Sequence, residues 1–251
     1  MFKGFLGALG FLSILPAGRD SRASDSLSRS MIFFPLAGLF LGGVLCGLDK
    51  LFFLCGFPAL LSAAAVTLAL AFLTGGMHLD GLADTADGFF SGKSGPDILA
   101  VMRDPHIGSM GTIALAGDLL LKTALLSAID GRSRSAALLL MCLLSRWSVV
   151  PAMAFFSYAR VEGKAKAFIS SVSRSTVYLS TVVALFLSGV VLGGEGIILS
   201  AAVFGVTFLF GSWSSRKIGG ITGDTLGANI EISELFVLSA VCLAESRSLP
   251  V

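Results

Sequence analysis

Long apolar stretches separated by short polar segments dominate this sequence of 251 residues. A helix that crosses a bilayer needs about 17 mainly apolar residues or more. One apolar stretch, Ile232–Ala244, is shorter than this, but a membrane span there could begin earlier, in the Gly-rich segment before it. We therefore expect an all-α, polytopic integral membrane bundle of about six to seven transmembrane helices, forming one domain over residues 1–251. The stretches that reach the required length are Met31–Leu48, Phe57–Thr74, Ile107–Ile129, Ser135–Phe156, Thr176–Leu192 and Ile197–Trp213.

Charge and cysteine usage exclude several other classes of protein. Charged residues make up 14% of the chain, against about 25% in soluble domains. The net charge of +2 leaves no basic stripe for nucleic acid. Four scattered cysteines without a CxxC pair give neither a disulfide nor a zinc framework, and two histidines cannot build an HExxH site.

The first sixteen residues, MFKGFLGALGFLSILP, form a further apolar segment. A secretory signal peptide is one interpretation, but no small-x-small cleavage site follows cleanly. We interpret the segment as an interfacial or re-entrant helix that stops at Pro16.

The distribution of Lys and Arg predicts which side of the membrane each loop occupies, because cytoplasmic loops carry the excess of these residues. With the N-terminus inside, segments 1–30, 75–106, 157–175 and 214–231 hold twelve of them, and the opposite side holds four. The long polar loops then meet at the cytoplasmic face of a cytoplasmic (inner) membrane. The twelve are Lys3, Arg19, Arg22, Arg29, Lys93, Arg103, Arg160, Lys164, Lys166, Arg174, Arg216 and Lys217; the four are Lys50, Arg132, Arg134 and Arg247.

The stretch GGMHLDGLADTADG, from Gly75 to Gly88, places Asp80, Asp84 and Asp87 at positions i, i+4 and i+7. On a helix these carboxylates fall within an arc of about 60°. They repel one another unless a cation lies between them. Oxygen ligands of this kind suit Mg²⁺ or Mn²⁺, so we interpret the stripe as a metal site rather than a solvated helix face.

Further charged residues lie at the ends of the apolar stretches and inside them. Arg103 and Asp104 form either a structural ion pair or, respectively, a phosphate clamp and another metal ligand. Ionisable groups inside a span are functional candidates because burying them is costly. Asp118 and Lys122 stand at i, i+4 and can neutralise each other, whereas Arg146 has no acidic residue within helical reach. We expect Arg146 to meet the acidic stripe or an anionic substrate.

The segment KIGGITGDTLGANIE, Lys217–Glu231, combines four glycines with polar residues that can cap the following helix, Asp224 or Thr225. A glycine-rich loop that leads into a helix N-terminus is suited to bind phosphate. The alternative is a cap followed by small-residue helix packing. A P-loop is excluded near Gly88–Ser94, because Asp87 stands where the first glycine would be needed.

Three of these motifs, TGGMHLDGLADTADG, MRDPHIGSMG and IGGITGDTLGANIE, resemble in order and spacing those of the adenosylcobinamide-GDP ribazoletransferase, or cobalamin synthase, family. The N-terminal FLSILP, the segment MIFFPLAGLFLG and SYARVEG at Ser157–Gly163 fit the same family. The resemblance covers nearly the whole chain. Met77 departs from it, where another bulky apolar residue is expected.

The resemblance implies a Mg²⁺-dependent membrane enzyme that joins adenosylcobinamide-GDP to α-ribazole, or to its 5′-phosphate, and releases GMP. Asp80, Asp84 and Asp87 would hold the metal, with Asp104 and Asp224 as further ligands. His78, one of the aspartates or solvent would accept the proton of the attacking ribose 3′-hydroxyl. On an ideal helix His78 lies about 160° from Asp80, which weakens its claim unless the helix starts after it. Substrate contacts are expected from Arg103, Lys122, Arg146, Arg160, Thr222, Gly223 and Asp224.

Two other functions fit parts of the pattern. A CDP-alcohol phosphotransferase also places acidic residues at the membrane surface, but its DGxxAR run is missing because Asp87-Gly88 is followed by Phe89 and Phe90. A cation-coupled transporter would show corresponding broken helices in two related halves, and none are found. The sequence leaves open whether the chain forms a homo-oligomer.

Overall fold

The computed structural model describes residues 2–16, 24–160 and 163–248. Arg19 and Arg22 of the charge count, and Val161 and Glu162 of the SYARVEG segment, lie outside the described residues. Within them the chain is helical, and its one isolated β-bridge joins Tyr158 to Ile221. The helices are α1 Phe2–Leu12, α2 Ser24–Met31, α3 Phe34–Leu54, α4 Ala59–Leu73, α5 Met77–Phe89, α6 Pro96–Val101, α7 Ser109–Ala128, α8 Gly131–Phe155, α9 Lys164–Ser171, α10 Arg174–Ile218 and α11 Gly223–Ser248.

The prediction of an all-α polytopic membrane bundle is confirmed. Five helices of the described chain are long and apolar enough to cross a membrane: α3, α7, α8, α10 and α11. A sixth candidate is added if α4 and α5, which meet at 90°, are taken as one broken segment, and α10 is counted once here although it has two arms. Gly75 and Gly76, both at positive φ, make this sharp turn. α5 therefore turns away from the direction of α4, and we treat it as lying outside the spans.

The 45-residue α10 folds back on itself at Leu192 and Gly193, whose dihedral angles are not helical. The Ser200 hydroxyl donates a hydrogen bond to the Ser188 hydroxyl at 3.0 Å. In a straight helix these two residues would stand about 18 Å apart. The two arms, residues 174–191 and 194–218, correspond to the two spans predicted between Thr176 and Trp213.

Other boundaries shift by a few residues from the sequence prediction. The first span begins at Phe34 rather than Met31, because Met31 ends α2. The short candidate Ile232–Ala244 belongs to a helix that begins at Gly223, within the Gly-rich segment. α1 ends at Leu12, before Pro16. With 11 residues it is too short to span, and its position on a membrane stays a prediction.

α8 is the central helix of the bundle. Its apolar side chains pack on α3, α10 and α11 in one buried cluster that includes Leu138, Leu144 and Val237. α3 and α8 cross closely, because Gly38 and Gly42 lie directly against the backbone of Cys142 and Leu138. This packing fixes the helices whose ends carry the polar motifs.

The polar motifs meet at one end of the bundle. The Lys217 amino group donates to the Phe89 carbonyl at 3.1 Å, which joins the end of α10 to the end of α5. The Ala159 N–H donates to Ile221 O at 2.9 Å, and the Ile221 N–H donates to Ser157 O at 2.8 Å. The opposite end contains the turns after α3, α7 and the first arm of α10. There Arg134 pairs with Asp49 at 2.6 Å.

Candidate active site

α5 and α11 cross at glycines, and this contact brings two of the predicted motifs together. A Cβ on Gly81 would lie 2.6 Å from the Asp224 carbonyl oxygen, and one on Gly227 would lie 3.2 Å from the His78 carbonyl. Side chains larger than hydrogen at these positions would push the helices apart. The close approach places the aspartates of α5 beside the N-terminus of α11.

The first turn of α11 is closed by reciprocal capping. Thr225 N–H donates to the Thr222 hydroxyl oxygen at 3.2 Å, and the Thr222 N–H donates to the Thr225 hydroxyl oxygen at 2.8 Å. Thr222, which precedes Gly223, is therefore the N-cap. The expectation that Asp224 or Thr225 caps this helix is corrected: Thr225 completes the cap from inside the helix, and Asp224 accepts a hydrogen bond from the Thr222 hydroxyl at 3.4 Å instead of capping a backbone N–H.

Arg160 is the partner of Asp224. Its guanidinium lies 2.7 Å from a carboxylate oxygen of Asp224, and both side chains are largely but not fully buried. The backbone bonds between residues 157–159 and Ile221 hold the loop that carries Arg160 in this position. The SYARVEG motif thus reaches the N-terminus of α11, although it is far away in sequence.

A cleft of about 360 Å³ lies where these elements meet. Asp80, Tyr158, Arg160, Gly163, Gly223 and Asp224 supply polar side chains and backbone to it. Three of the predicted site residues that line it, Asp80, Arg160 and Asp224, come from three different motifs. Its other lining residues are Phe11, Leu12, Met77, His78, Val149, Leu226, Gly227 and Ile230.

The three aspartates of the stripe differ in their surroundings. Within the described chain, the exposed Asp80 and half-buried Asp84 make no hydrogen bond or ion pair. Burial and the negative charges of Asp80 and Asp224 raise the pKa of Asp84 to about 6. Asp87 instead accepts hydrogen bonds from the backbone N–H groups of Gly108 and Gly111, at 2.7 and 2.8 Å. Its carboxylate thereby anchors the N-terminus of α7.

His78 lies on the buried side of α5, whereas Asp80 is exposed. The side chain is 3% exposed, and its Nδ1 atom has no hydrogen-bond partner in the described structure. Burial and the nearby Arg146 lower the pKa of the imidazole to about 3. A neutral, weakly basic imidazole at the cleft suits hydrogen bonding better than proton abstraction.

Arg103 and Asp104 lie in the exposed loop between α6 and α7. The ion pair between them, one of the two alternatives, does not form in the described structure, because Asp104 pairs with His106 at 2.7 Å from ring Nδ1 to carboxylate oxygen. Hydrogen bonds from His106 lower the pKa of Asp104. Burial raises the pKa of the Tyr158 phenol, and the positive charge of Arg103 opposes that rise only weakly.

Lys122 and Arg146 are not at the cleft. Lys122 contacts Asp118 at 3.0 Å, Glu234 at 2.6 Å and Glu231, all inside the bundle. Arg146 pairs with Glu234 and donates to the Ser145 hydroxyl at 2.8 Å. Asp118 and Lys122 do neutralise each other, as their spacing indicates. The substrate role of Lys122 and Arg146 stays a prediction.

Arg146 was expected to meet the acidic stripe of α5 or a substrate, but it pairs with Glu234 of α11. Sequence reasoning missed Glu231 and Glu234 as partners, because it considered only the acids of α5 and the helix of Arg146 itself. Two acids at i, i+3 in an otherwise apolar helix were the available signal. It also missed α1, whose residues Phe11 and Leu12 line the cleft. No pattern in the first sixteen residues indicates that contact.

The described residues contain no preformed cluster of three or more His, Cys, Asp or Glu side chains arranged to hold a metal ion. The unpaired carboxylates of Asp80 and Asp84 nevertheless have the oxygen donors that Mg²⁺ prefers. Mg²⁺ is usually bound through one or two carboxylates plus water and substrate phosphate. The donor set fits a shared metal site of this kind and does not fit a closed one.

Comparison with known proteins decides the family. The family model described as cobalamin-5-phosphate synthase matches residues 4–242. The chain belongs to the cobalamin-5-phosphate synthase family. A relative in Klebsiella pneumoniae (strain 342), named adenosylcobinamide-GDP ribazoletransferase, is 39% identical over 96% of this chain and 100% of its own length. No solved structure matches the chain. The match confirms the resemblance carried by the motifs, and the residues that line the cleft lie within the matched region.

Proposed function

We propose that this cobalamin-5-phosphate synthase family member joins adenosylcobinamide-GDP to α-ribazole, or to its 5′-phosphate, and releases GMP. The family match and the name of the 39% identical relative support the substrates. The single structural observation that carries the proposal is the cleft where Asp80, Arg160 and Asp224 converge from three distant motifs. Phosphoryl transfer depends mainly on positioning and charge stabilisation, which such a cleft provides.

The reaction needs a nucleophile, a charged phosphate and a leaving group held in line. A ribose hydroxyl of α-ribazole attacks the phosphorus bonded to the cobinamide side, the bond to the GMP oxygen breaks, and the hydroxyl proton goes to an aspartate of α5 or to solvent. Arg160 stabilises the phosphate charge from the mouth of the cleft, and Asp224 orients its guanidinium at 2.7 Å. The lowered pKa of His78 disfavours it as proton acceptor.

The proposal includes Mg²⁺. Asp80 and Asp84 would hold it, because their carboxylates have no other partner in the described chain. When bound, the ion would neutralise the diphosphate charge. Asp87 and Asp104 are weaker candidates, since each already accepts hydrogen bonds within the protein.

We further propose that the cleft faces the cytoplasm and that the membrane is the inner membrane. The twelve-to-four bias of Lys and Arg supports this orientation. The end of the bundle with the polar motifs would then be inside.

Purified protein in detergent, incubated with adenosylcobinamide-GDP, α-ribazole and Mg²⁺, tests the activity. We expect GMP and the ribazole-containing corrinoid in a 1:1 ratio, and neither product when α-ribazole or Mg²⁺ is left out. GMP release without α-ribazole would indicate a hydrolase. No GMP in the complete mixture would contradict the proposed function.

A further inference from the structure

The cleft has two chemically distinct ends. Asp80, Arg160 and Asp224 lie at its more exposed polar mouth. Its inner wall is built by apolar side chains of α1, α8 and α11. Leu12, Val149, Leu226 and Ile230 are each less than a tenth exposed, and Phe11 lies beside them. Among the described residues that line the cleft, His78 is the one with a polar side chain on this buried side.

The size of the cleft selects between the two substrates. A volume of about 360 Å³ is near the lower end of what small-molecule pockets offer, roughly 300–1,000 Å³. A corrin macrocycle with its amide side chains and nucleotide is several times larger than a benzimidazole riboside. The smaller substrate therefore fits inside, and the corrinoid must lie across the mouth.

The chemistry of the inner wall selects the group that enters it. A guanine or adenine ring carries several polar edge atoms, and an apolar wall would leave them without hydrogen bonds. A dimethylbenzimidazole ring has two methyl groups and a single ring nitrogen free to accept a hydrogen bond. The inner end likewise offers apolar contacts and the imidazole of His78, which lines the cleft.

We propose that the inner end of the cleft binds the benzimidazole ring of α-ribazole, with the His78 imidazole donating a hydrogen bond to its free ring nitrogen. The proposal rests on the proposed function. His78 is then a positioning residue: it fixes the base between α1, α8 and α11 so that the ribose points to the mouth, beside Asp80. A neutral imidazole carries one N–H group, which supplies the required donor.

Binding of nucleoside analogues to the wild-type protein tests the apolar contacts. Equilibrium dialysis with detergent-solubilised full-length protein needs neither turnover nor the corrinoid. We expect Kd to rise roughly fourfold for each methyl group removed from α-ribazole. Replacing the base by a purine should raise Kd by roughly tenfold or more, because its polar edge is left unpaired. Equal affinities across this series would overturn the proposal.

His78→Phe tests the hydrogen bond, since it keeps a planar ring and removes the donor. We expect KM for α-ribazole to rise roughly tenfold, with KM for adenosylcobinamide-GDP and the pH profile unchanged. Thr85→Val is the matched control, because Thr85 is also buried on α5 but does not line the cleft. A raised KM for the corrinoid alone, or a kcat loss with an altered pH profile, would overturn the positioning role.

Failure of the proposed function gives a different pattern. If the wild-type protein makes no cobalamin from any riboside, the function is wrong, and the dialysis series still decides whether the inner end binds the base. If cobalamin is made but all analogues bind with the same Kd, the proposed function stands and the assignment of the inner end to the base is wrong. Should His78→Phe fail to fold, the wild-type series remains decisive.

Discussion

Asp87 differs from the other two aspartates of α5 in what holds its carboxylate. Both of its oxygens accept backbone N–H groups at the start of α7, whereas Asp80 and Asp84 have no partner in the described chain. The spacing i, i+4, i+7 predicted one stripe and assigned the same role to all three. It could not distinguish them, because the partners of Asp87 lie 21 and 24 residues away.

Asp80→Asn and Asp84→Asn should each lower kcat/KM for adenosylcobinamide-GDP by about 100-fold or more. Each loses a negative charge that would balance Mg²⁺ on the diphosphate, and such charge stabilisation is worth several kcal/mol in the transition state. Steady-state GMP release at limiting Mg²⁺ measures the effect. Asp97→Asn, in the exposed first turn of α6, is the control and should keep its activity. Near-normal activity in both variants would make the stripe a solvated face.

Asp87→Asn should mainly lower the stability of the folded protein. An amide can accept one of the two backbone hydrogen bonds, but its NH₂ group would face the other N–H and leave it unpaired, which costs about 1–3 kcal/mol. A lowered thermal unfolding midpoint in detergent is the expected result. An unchanged midpoint with activity lost as in Asp84→Asn would instead support the metal-ligand role predicted from the sequence.

At the scale of helices, α7, α8 and α11 are linked by five buried ionisable side chains. Asp118, Glu231 and Glu234 supply three acidic groups, and Lys122 and Arg146 supply two basic ones. Sequence analysis identified the groups on α7 and α8 and predicted the Asp118–Lys122 pair. The cross-helix pairs depend on which faces of three helices meet, which periodicity alone does not determine.

Arg146→Met should destabilise the protein by about 3–5 kcal/mol, because it leaves Glu234 with one cation fewer in a buried site. Asp118→Asn should cost less, since it leaves two acidic and two basic groups. Chemical denaturation of the two variants in detergent compares them. Arg146→Met with unchanged stability and a large loss in kcat/KM for adenosylcobinamide-GDP would contradict this account. That result would make Arg146 a substrate clamp.

The number and order of spans were predictable because hydropathy reports the length of apolar segments directly. The fold-back of α10 was also visible, as Gly193 and Gly194 separate two apolar stretches. The course of α5 was not. Gly75 and Gly76 mark a turn, but neither its 90° angle nor the close packing of Gly81 against α11 can be read from the spacing of residues. That packing explains why Asp80, Asp224 and Arg160 share one cleft.

For the whole molecule, successive spans run in opposite directions, and this fixes which loops share an end. The Lys and Arg bias predicts which end is cytoplasmic. Cysteines introduced at the exposed Ser91 and Ser94 should react with a membrane-impermeant thiol reagent only from the cytoplasmic side. The native, exposed Cys55 lies in the turn at the other end and should react only from outside. Each site is measured in a background without the other cysteines. The reverse labelling pattern would invert the proposed orientation.

The most direct test of the central claim follows the phosphorus bonded to the cobinamide side of adenosylcobinamide-GDP. With that atom radiolabelled, purified protein, α-ribazole and Mg²⁺ should transfer the label into the ribazole-containing corrinoid and release unlabelled GMP. The Asp80→Asn variant should slow both products equally. Label recovered in the released nucleotide, or transfer that does not depend on Asp80, would contradict the assignment of this cleft as the site of phosphoryl transfer.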